Sequence, residues 1–240
     1  IVVSNLQDMK VLETWIDGKM VAEKGKALFT TQPCVPVNRF HCAAKHPSDF
    51  RINISDENMR VIEALDGQLI TNEIITKSKI LNPFTQTSIK DDILKFTVVN
   101  RYAEQPPAIA FIKNFGLKTG AIASSVGHDS HNLLAVGTDS ESICRAINLL
   151  IENKGGVVAV GLGKEKVLPL PVGGLMALED GYRVGKNYQE IDSFAKELGS
   201  CLSAPFMTLS FMALLVIPRL KLSDKGLFDG EQFKFVTVFC

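Results

Sequence analysis

Between residues 120 and 160 the spacing of apolar residues changes twice, and that change restricts the chain to a layered fold. Residues 120–126 form a run of small, mostly apolar side chains, and Leu133-Leu134-Ala135-Val136 forms a second run. Each reads as a short strand. Thr138-Asp139-Ser140-Glu141 then has the marks of a helix start, a capping residue followed by an acidic first turn. Ile143, Ala146, Ile147, Leu150 and Ile151 recur at helical spacing on one face. Gly155-Gly156 ends the helix, and 157–160 is an apolar run of the buried-strand type. Strands interleaved with helices predict an α/β (α+β layered) class, a mixed β-sheet domain with packed helices. The strand order stays open at this level.

The remaining elements are read by the same signals. Ile1-Val2-Val3 is an apolar run, 11–16 follows as a second strand, Asp17-Gly18 is a tight-turn pair, and 19–22 returns as a third strand. A lone hairpin of this size is marginal, so it predicts a larger sheet beyond this segment. The opening residue is Ile1, inside a strand, and this carries the expectation that something precedes it. Pro33, Pro36 and Pro47 mark a connector. From Asp49, Phe50, Ile52 and Ile54 alternate with polar residues as a half-buried strand would. Further strands are expected at 60–64, 67–75, 93–100 and 233–239. Helices are expected at 107–114 and at 188–198, where Ile191, Phe194, Ala195 and Leu198 share a face.

Composition excludes some partners. Lys plus Arg and Asp plus Glu each number 26, so the net charge is zero. That balance argues against a general attraction to nucleic acid or anionic lipid. The longest apolar stretch, 206–217, is too short to span a bilayer. The five cysteines, Cys34, Cys42, Cys144, Cys201 and Cys240, are odd in number and form no CxxC pair. They fit free thiols in a reducing compartment, the cytoplasm. No signal peptide is visible at the start.

The sharpest local cluster is Gly127-His128-Asp129-Ser130-His131-Asn132, which joins two expected strands. Imidazoles and a carboxylate suit a divalent metal or proton transfer near neutral pH. The same spacing suits a polar turn, and two histidines with one carboxylate fall short of a full coordination sphere. His41 and His46 lie in the connector and read as surface linker, and Cys42 beside them reads as an ordinary free thiol. Gly161-Leu162-Gly163 does not open a helix, so it reads as a hairpin turn and not a phosphate loop. Pro169-Leu170-Pro171-Val172-Gly173-Gly174-Leu175-Met176 reads as a stiff turn whose glycines permit close approach. Phe206-Met207-Thr208-Leu209-Ser210-Phe211-Met212 suits either a core or an apolar contact surface. Arg219, Lys221, Asp224 and Lys225 read as a solvated loop, with a turn at Asp224-Lys225-Gly226.

Taken in order, four motifs carry a resemblance: Gly127-His128-Asp129-Ser130-His131-Asn132, then Leu168-Pro169-Leu170-Pro171 with Gly174-Leu175-Met176, then Pro205-Phe206-Met207-Thr208-Leu209-Ser210-Phe211, then 220–229 with Ser223-Asp224-Lys225-Gly226 at its centre. This series resembles the C-terminal domain of the adenine deaminases of the amidohydrolase superfamily. Residues 11–22 resemble the last strands of the small β-sandwich that flanks amidohydrolase barrels. The resemblance implies three parts: 1–30 as the end of that sandwich, 31–48 as connector and 49–240 as the C-terminal domain. It implies hydrolysis of adenine to hypoxanthine and ammonia, a purine-salvage reaction, at a manganese or iron centre. The metal ligands of that family sit on a barrel with an HxH motif, and this chain contains no HxH. No barrel residue is therefore carried over, and the chain alone is expected to be inactive. His128, Asp129 and His131 remain the candidates for catalysis or metal binding. Ser130, Asn132, Gly173, Gly174, Met176, Phe206 and Met207 are candidates for facing the substrate or another domain. The expected partners are adenine, an amidohydrolase barrel and further copies of the chain. The competing readings are a non-catalytic docking or oligomerisation module and a separate metal site with hydrolytic chemistry of its own.

Overall fold

Apolar residues of the central strands point alternately to two faces, and covering both faces sets the layers of the protein. In the computed structural model all residues of 1–240 are described except Thr31, Pro33, Phe84 and Thr85, so the expected interruption at Pro33 lies outside the described residues. The chain divides into two units, Ile1–Val35 and Pro36–Cys240.

The first unit is a four-stranded antiparallel sheet in the order β1 (Val2–Val3), β2 (Val11–Ile16), β3 (Lys19–Glu23) and β4 (Lys26–Ala27). Asp17 and Gly18 both take positive φ, 49° and 72°, as a two-residue hairpin turn requires. Among its described residues none is buried. A sheet this small has no core of its own.

The second unit holds β5 (Asn58–Ala64), β6 (Thr71–Lys77), β7 (Ile93–Val99), β8 (Ala108–Lys113), β9 (Ala121–Ser124), β10 (Leu133–Gly137), α1 (Ser140–Glu152), β11 (Gly156–Gly161), β12 (Lys164–Pro169), α2 (Gly181–Glu197), α3 (Pro205–Phe211), β13 (Leu220–Ser223), β14 (Gly226–Asp229) and β15 (Lys234–Phe235). Eight strands form one mixed sheet in the order β12-β11-β9-β10-β7-β8-β5-β6. Every neighbouring pair is antiparallel except β5 with β8. Ile122, Leu134, Val136, Val157 and Ala159 pack on one face with Ile191 and Phe194 of α2, Leu198 at its C-terminal cap, and Phe206 and Leu209 of α3. Ala121, Ala123, Leu133, Ala135, Val158 and Val160 pack on the other face with Ile143, Ala146, Ile147 and Leu150 of α1. The result is the layered α/β arrangement that interleaved strands and helices predict. Helix α1 is capped as its sequence indicates, with Asp139 Oδ1 accepting from the Ser142 backbone N–H at 2.7 Å. Among the described residues no helix is long and apolar enough to cross a membrane.

Several expectations need correction. Residues 107–114 are not a helix but contain β8. Ala108-Ile109-Ala110-Phe111-Ile112 is apolar throughout, so its period does not separate buried helix from buried strand. In the fold Ala110 and Ile112 join one cluster and Phe111 another, which is the alternation of a strand. The strand expected from Asp49 is instead a 3-10 turn, Pro47–Phe50, followed by residues outside any strand. His46 caps it by accepting from Ser48, Asp49 reaches back to the His46 N–H, and Pro47 has no N–H to lose. The second amphipathic helix starts earlier than its apolar face indicates, at Gly181 after an Asp180 cap. The strand expected at 67–75 is β6, shifted toward its C-terminal side. The terminal strand is reduced to β15 and a single bridge of Phe239 to Met59.

Two lysines are enclosed by the fold, and one of them departs from the sequence reading. Lys221, expected in a solvated loop, is a fully buried strand residue whose Nζ donates to the Leu69 carbonyl at 2.6 Å. Lys95 is equally enclosed and donates to the Phe50 carbonyl and Ser140 Oγ. Burial pushes each ammonium down to about 8 from the usual 10.5. Below about pH 8 both folded and unfolded chains hold these protons, and the cost of burying the charge is present in full. Between about 8 and 10.5 only the unfolded chain holds them, so their effect on stability improves as pH rises. The difference in urea-unfolding free energy between the parent and Lys221→Met should therefore shift toward the parent through this window. The shift is at most about 1.4 kcal/mol per pH unit, and a pH-independent difference would refute this assignment of Lys221.

Candidate functional site

The site lies where β7, β9 and β12 end and β10 and β11 begin. Registers place these ends together: Leu133 opposes Val99, Leu134 opposes Ser124, and Gly156 opposes Pro169. The segment 127–132 joins β9 to β10 here. Its His128 N–H donates to the Ser210 carbonyl at the end of α3, and the His131 N–H donates to the Gly127 carbonyl. The His128 ring stacks on Phe211 with centroids 4.7 Å apart, and the His128 and His131 rings meet edge-on at 5.8 Å. These contacts hold the loop against α3.

Asn100, Arg101 and Tyr102, which follow β7, tie the other segments to this loop. The Arg101 N–H donates to Asn132 Oδ1. Its guanidinium donates to the Gly173 carbonyl at 2.7 Å, to the Tyr102 hydroxyl at 2.9 Å and to Asn38 Oδ1 at 2.9 Å. The Tyr102 hydroxyl in turn donates to the Ser130 carbonyl at 2.8 Å, and Asn100 Nδ2 donates to Asp224 Oδ2 at 2.8 Å. Arg101 is only 4% exposed, and it stacks over the Tyr102 and Phe40 rings. Among the described residues it has no carboxylate partner, and its Nε is buried without a hydrogen bond. On the far side Ser125 Oγ donates to the Gly174 carbonyl at 2.6 Å.

Three residues in the middle of this network, Asn100, Arg101 and Tyr102, were not singled out from sequence. The available signal was a polar trio directly after the wholly buried strand β7. The four sequence motifs do converge. Gly173 and Gly174 sit against Arg101, Ser130 and Asn132 are bound by Tyr102 and Arg101, and the Asp224 turn joins β13 to β14. Met176 and Met207 are exposed, at 58% and 54%. Phe206 is a core residue instead, packed beside Tyr188. A hollow of about 350 Å³ opens beside the loop between Asp129, Ser130, Val216, Asp224, Lys225 and Phe235.

These residues do not make a metal centre by themselves. Among the described residues no three His, Cys, Asp or Glu side chains are grouped to hold a metal ion. His128 is committed to a ring stack, Asp129 is exposed, and the buried His131 Nδ1 faces no partner. Burial chiefly, with His128 and Arg101 beside it, lowers the proton affinity of His131 below the ordinary histidine value. The shift favours the neutral form of the His131 imidazole.

The family model of the adenine deaminase C-terminal domain matches residues 68–234, which contain the loop, the Gly173-Gly174 turn, α3, the β13–β14 hairpin and Arg101. The chain belongs to this adenine deaminase C-terminal domain family. Curated adenine deaminases match along its whole length. That of Sulfurovum sp. (strain NBC37-1) is 48% identical over 237 residues, covering 98% of this chain and 43% of the relative. That of Salinibacter ruber is 45% identical over 241 residues, with 100% and 44% covered. That of Methanosarcina barkeri is 46% identical over 248 residues, with 100% and 45% covered. The chain spans less than half the length of these adenine deaminases.

Gly174 tests the packing of this family site. Its φ is +74°, and a Cβ there would stand 2.6 Å from Arg101 Nη1. Gly174→Ala should cost about 1–3 kcal/mol in urea unfolding, because it combines a disfavoured backbone conformation with displacement of a pinned guanidinium. A loss below about 0.5 kcal/mol would show that Arg101 is free to move.

Proposed function

We propose that this chain serves as the C-terminal domain of an adenine deaminase and works with an amidohydrolase barrel to convert adenine and water to hypoxanthine and ammonia. The observation that carries the reading is the convergence of the family's four motifs on one end of the sheet, in a chain whose described residues offer no metal centre. The manganese or iron expected for this reaction is assigned to the barrel. The C-terminal domain contributes a rigid loop, with Ser130 and Asn132 fixed through Arg101 and Tyr102 and with His128 fixed on Phe211. Fixed groups of this kind orient a reactant or a neighbouring loop more effectively than mobile ones. The same reading places the protein in the cytoplasm, where its five free thiols are compatible with reducing conditions. It also includes self-association of the chain.

The test is ammonia release from adenine with manganese or ferrous iron supplied. The chain alone should release none, and addition of the amidohydrolase portion of a relative, on the same polypeptide or as a second chain, should restore release. In that complete enzyme His128→Ala with His131→Ala should lower kcat/KM at least tenfold without loss of bound metal. Metal-dependent release by the chain alone, abolished in the same double variant, would overturn the proposal and assign the chemistry to the loop.

A further inference from the structure

The hollow beside the loop has a chemistry that the proposed reaction does not require of this domain. Its volume, about 350 Å³, lies at the small end of the range for small-molecule sites, about 300–1,000 Å³. Val216 and Phe235 supply exposed apolar walls, 66% and 50% accessible, backed by Ala213 and Leu215. Three ionised groups stand at its edge from two separate segments: Asp129 from the loop, and Asp224 and Lys225 from the turn between β13 and β14. Asp224 Oδ2 is held by Asn100, which leaves its second oxygen available. Among the described residues the Asp129 carboxylate and the Lys225 ammonium have no protein partner.

We infer that this hollow is a binding site for a free purine base, and that the domain binds the base without the barrel and without metal. An aromatic side chain with aliphatic neighbours suits the apolar face of a heteroaromatic ring. Carboxylates accept from the exocyclic amine and the ring N–H, and the ammonium donates to an unprotonated ring nitrogen. The pair of carboxylates selects a base over a nucleotide, because phosphate oxygens would enter beside two negative charges with one ammonium to offset them. The loop and the hairpin that supply these groups are linked through Asn100 and Tyr102, so the site is preformed. Preformed polar groups keep the cost of ordering low. The identity of the base as adenine rests on the proposed reaction.

The experiment is calorimetric titration of the 240-residue chain with adenine in the presence of EDTA, with adenosine monophosphate as the comparison. Adenine should bind, and the monophosphate should bind at least tenfold more weakly. Asp224→Asn and Val216→Trp should each weaken adenine at least tenfold. Val216 is an exposed position, so the Trp variant fills the hollow without disturbing the core, and it decides the matter if Asp224→Asn disrupts the Asn100 contact. Glu63→Gln, in a separate surface cleft, should leave affinity unchanged. Absence of adenine binding at millimolar concentration overturns the inference, as does equal binding by Val216→Trp or tighter binding of the monophosphate. Because the readout contains no metal and no turnover, its failure leaves the deaminase reading standing. Failure of ammonia release by the complete enzyme likewise leaves base binding standing.

Discussion

Double-sided burial of the strands β7, β9, β10 and β11 is the constraint on which the second unit depends. Every residue of β7, β9 and β10 is buried, so neither face of the sheet is left to solvent there. Two covers follow, α1 on one side and α2 with α3 on the other. The order of strands follows as well. β10 and β11 both run antiparallel to β9, which lies between them, so α1 must carry the chain across β9 to reach the far side. That crossover leaves the opposite end of β9 to the 127–132 loop.

Local signals made the elements legible, and long-range partners made the site. The cap at Asp139, the stripe from Ile143 to Ile151 and the Gly155-Gly156 stop act within a few residues of one another. They describe α1 fully before any tertiary contact is known. The stretch 108–113 offers no such contrast, because both faces of β8 are buried and the sequence is uniformly apolar. Lys221 looked solvated because its neighbours are charged, yet its partner is the Leu69 carbonyl, far away in the chain. His128, Asp129 and His131 were visible as a cluster, but their spacing did not reveal that one imidazole is taken up by Phe211.

Arg101 explains why motifs so distant in sequence act as one object. A guanidinium offers five N–H donors in a fixed fork. Here the fork reaches a carbonyl of the Gly173-Gly174 turn, the side chain of Asn38 and the hydroxyl that secures Ser130. A buried cation without a carboxylate partner is costly, and the carbonyls, hydroxyl and stacked rings provide the compensation. Lysine would reach fewer of these groups, and a neutral residue would leave these part-buried acceptors without the donor that joins them. The trio after β7 therefore does for the site what the apolar stripe of α1 does for the sheet.

The strand order carries one more consequence, for colloidal behaviour. β12 is last in the sheet, and a terminal strand invites pairing with other chains. Its sequence begins Lys164-Glu165-Lys166 and closes on Pro169, which has no N–H to offer a neighbouring ladder. Glu165 is further occupied by a two-pronged bond from Arg145 of α1. Charge and a missing donor thus oppose edge-to-edge aggregation along the same strand that delivers the chain to the Gly173-Gly174 turn.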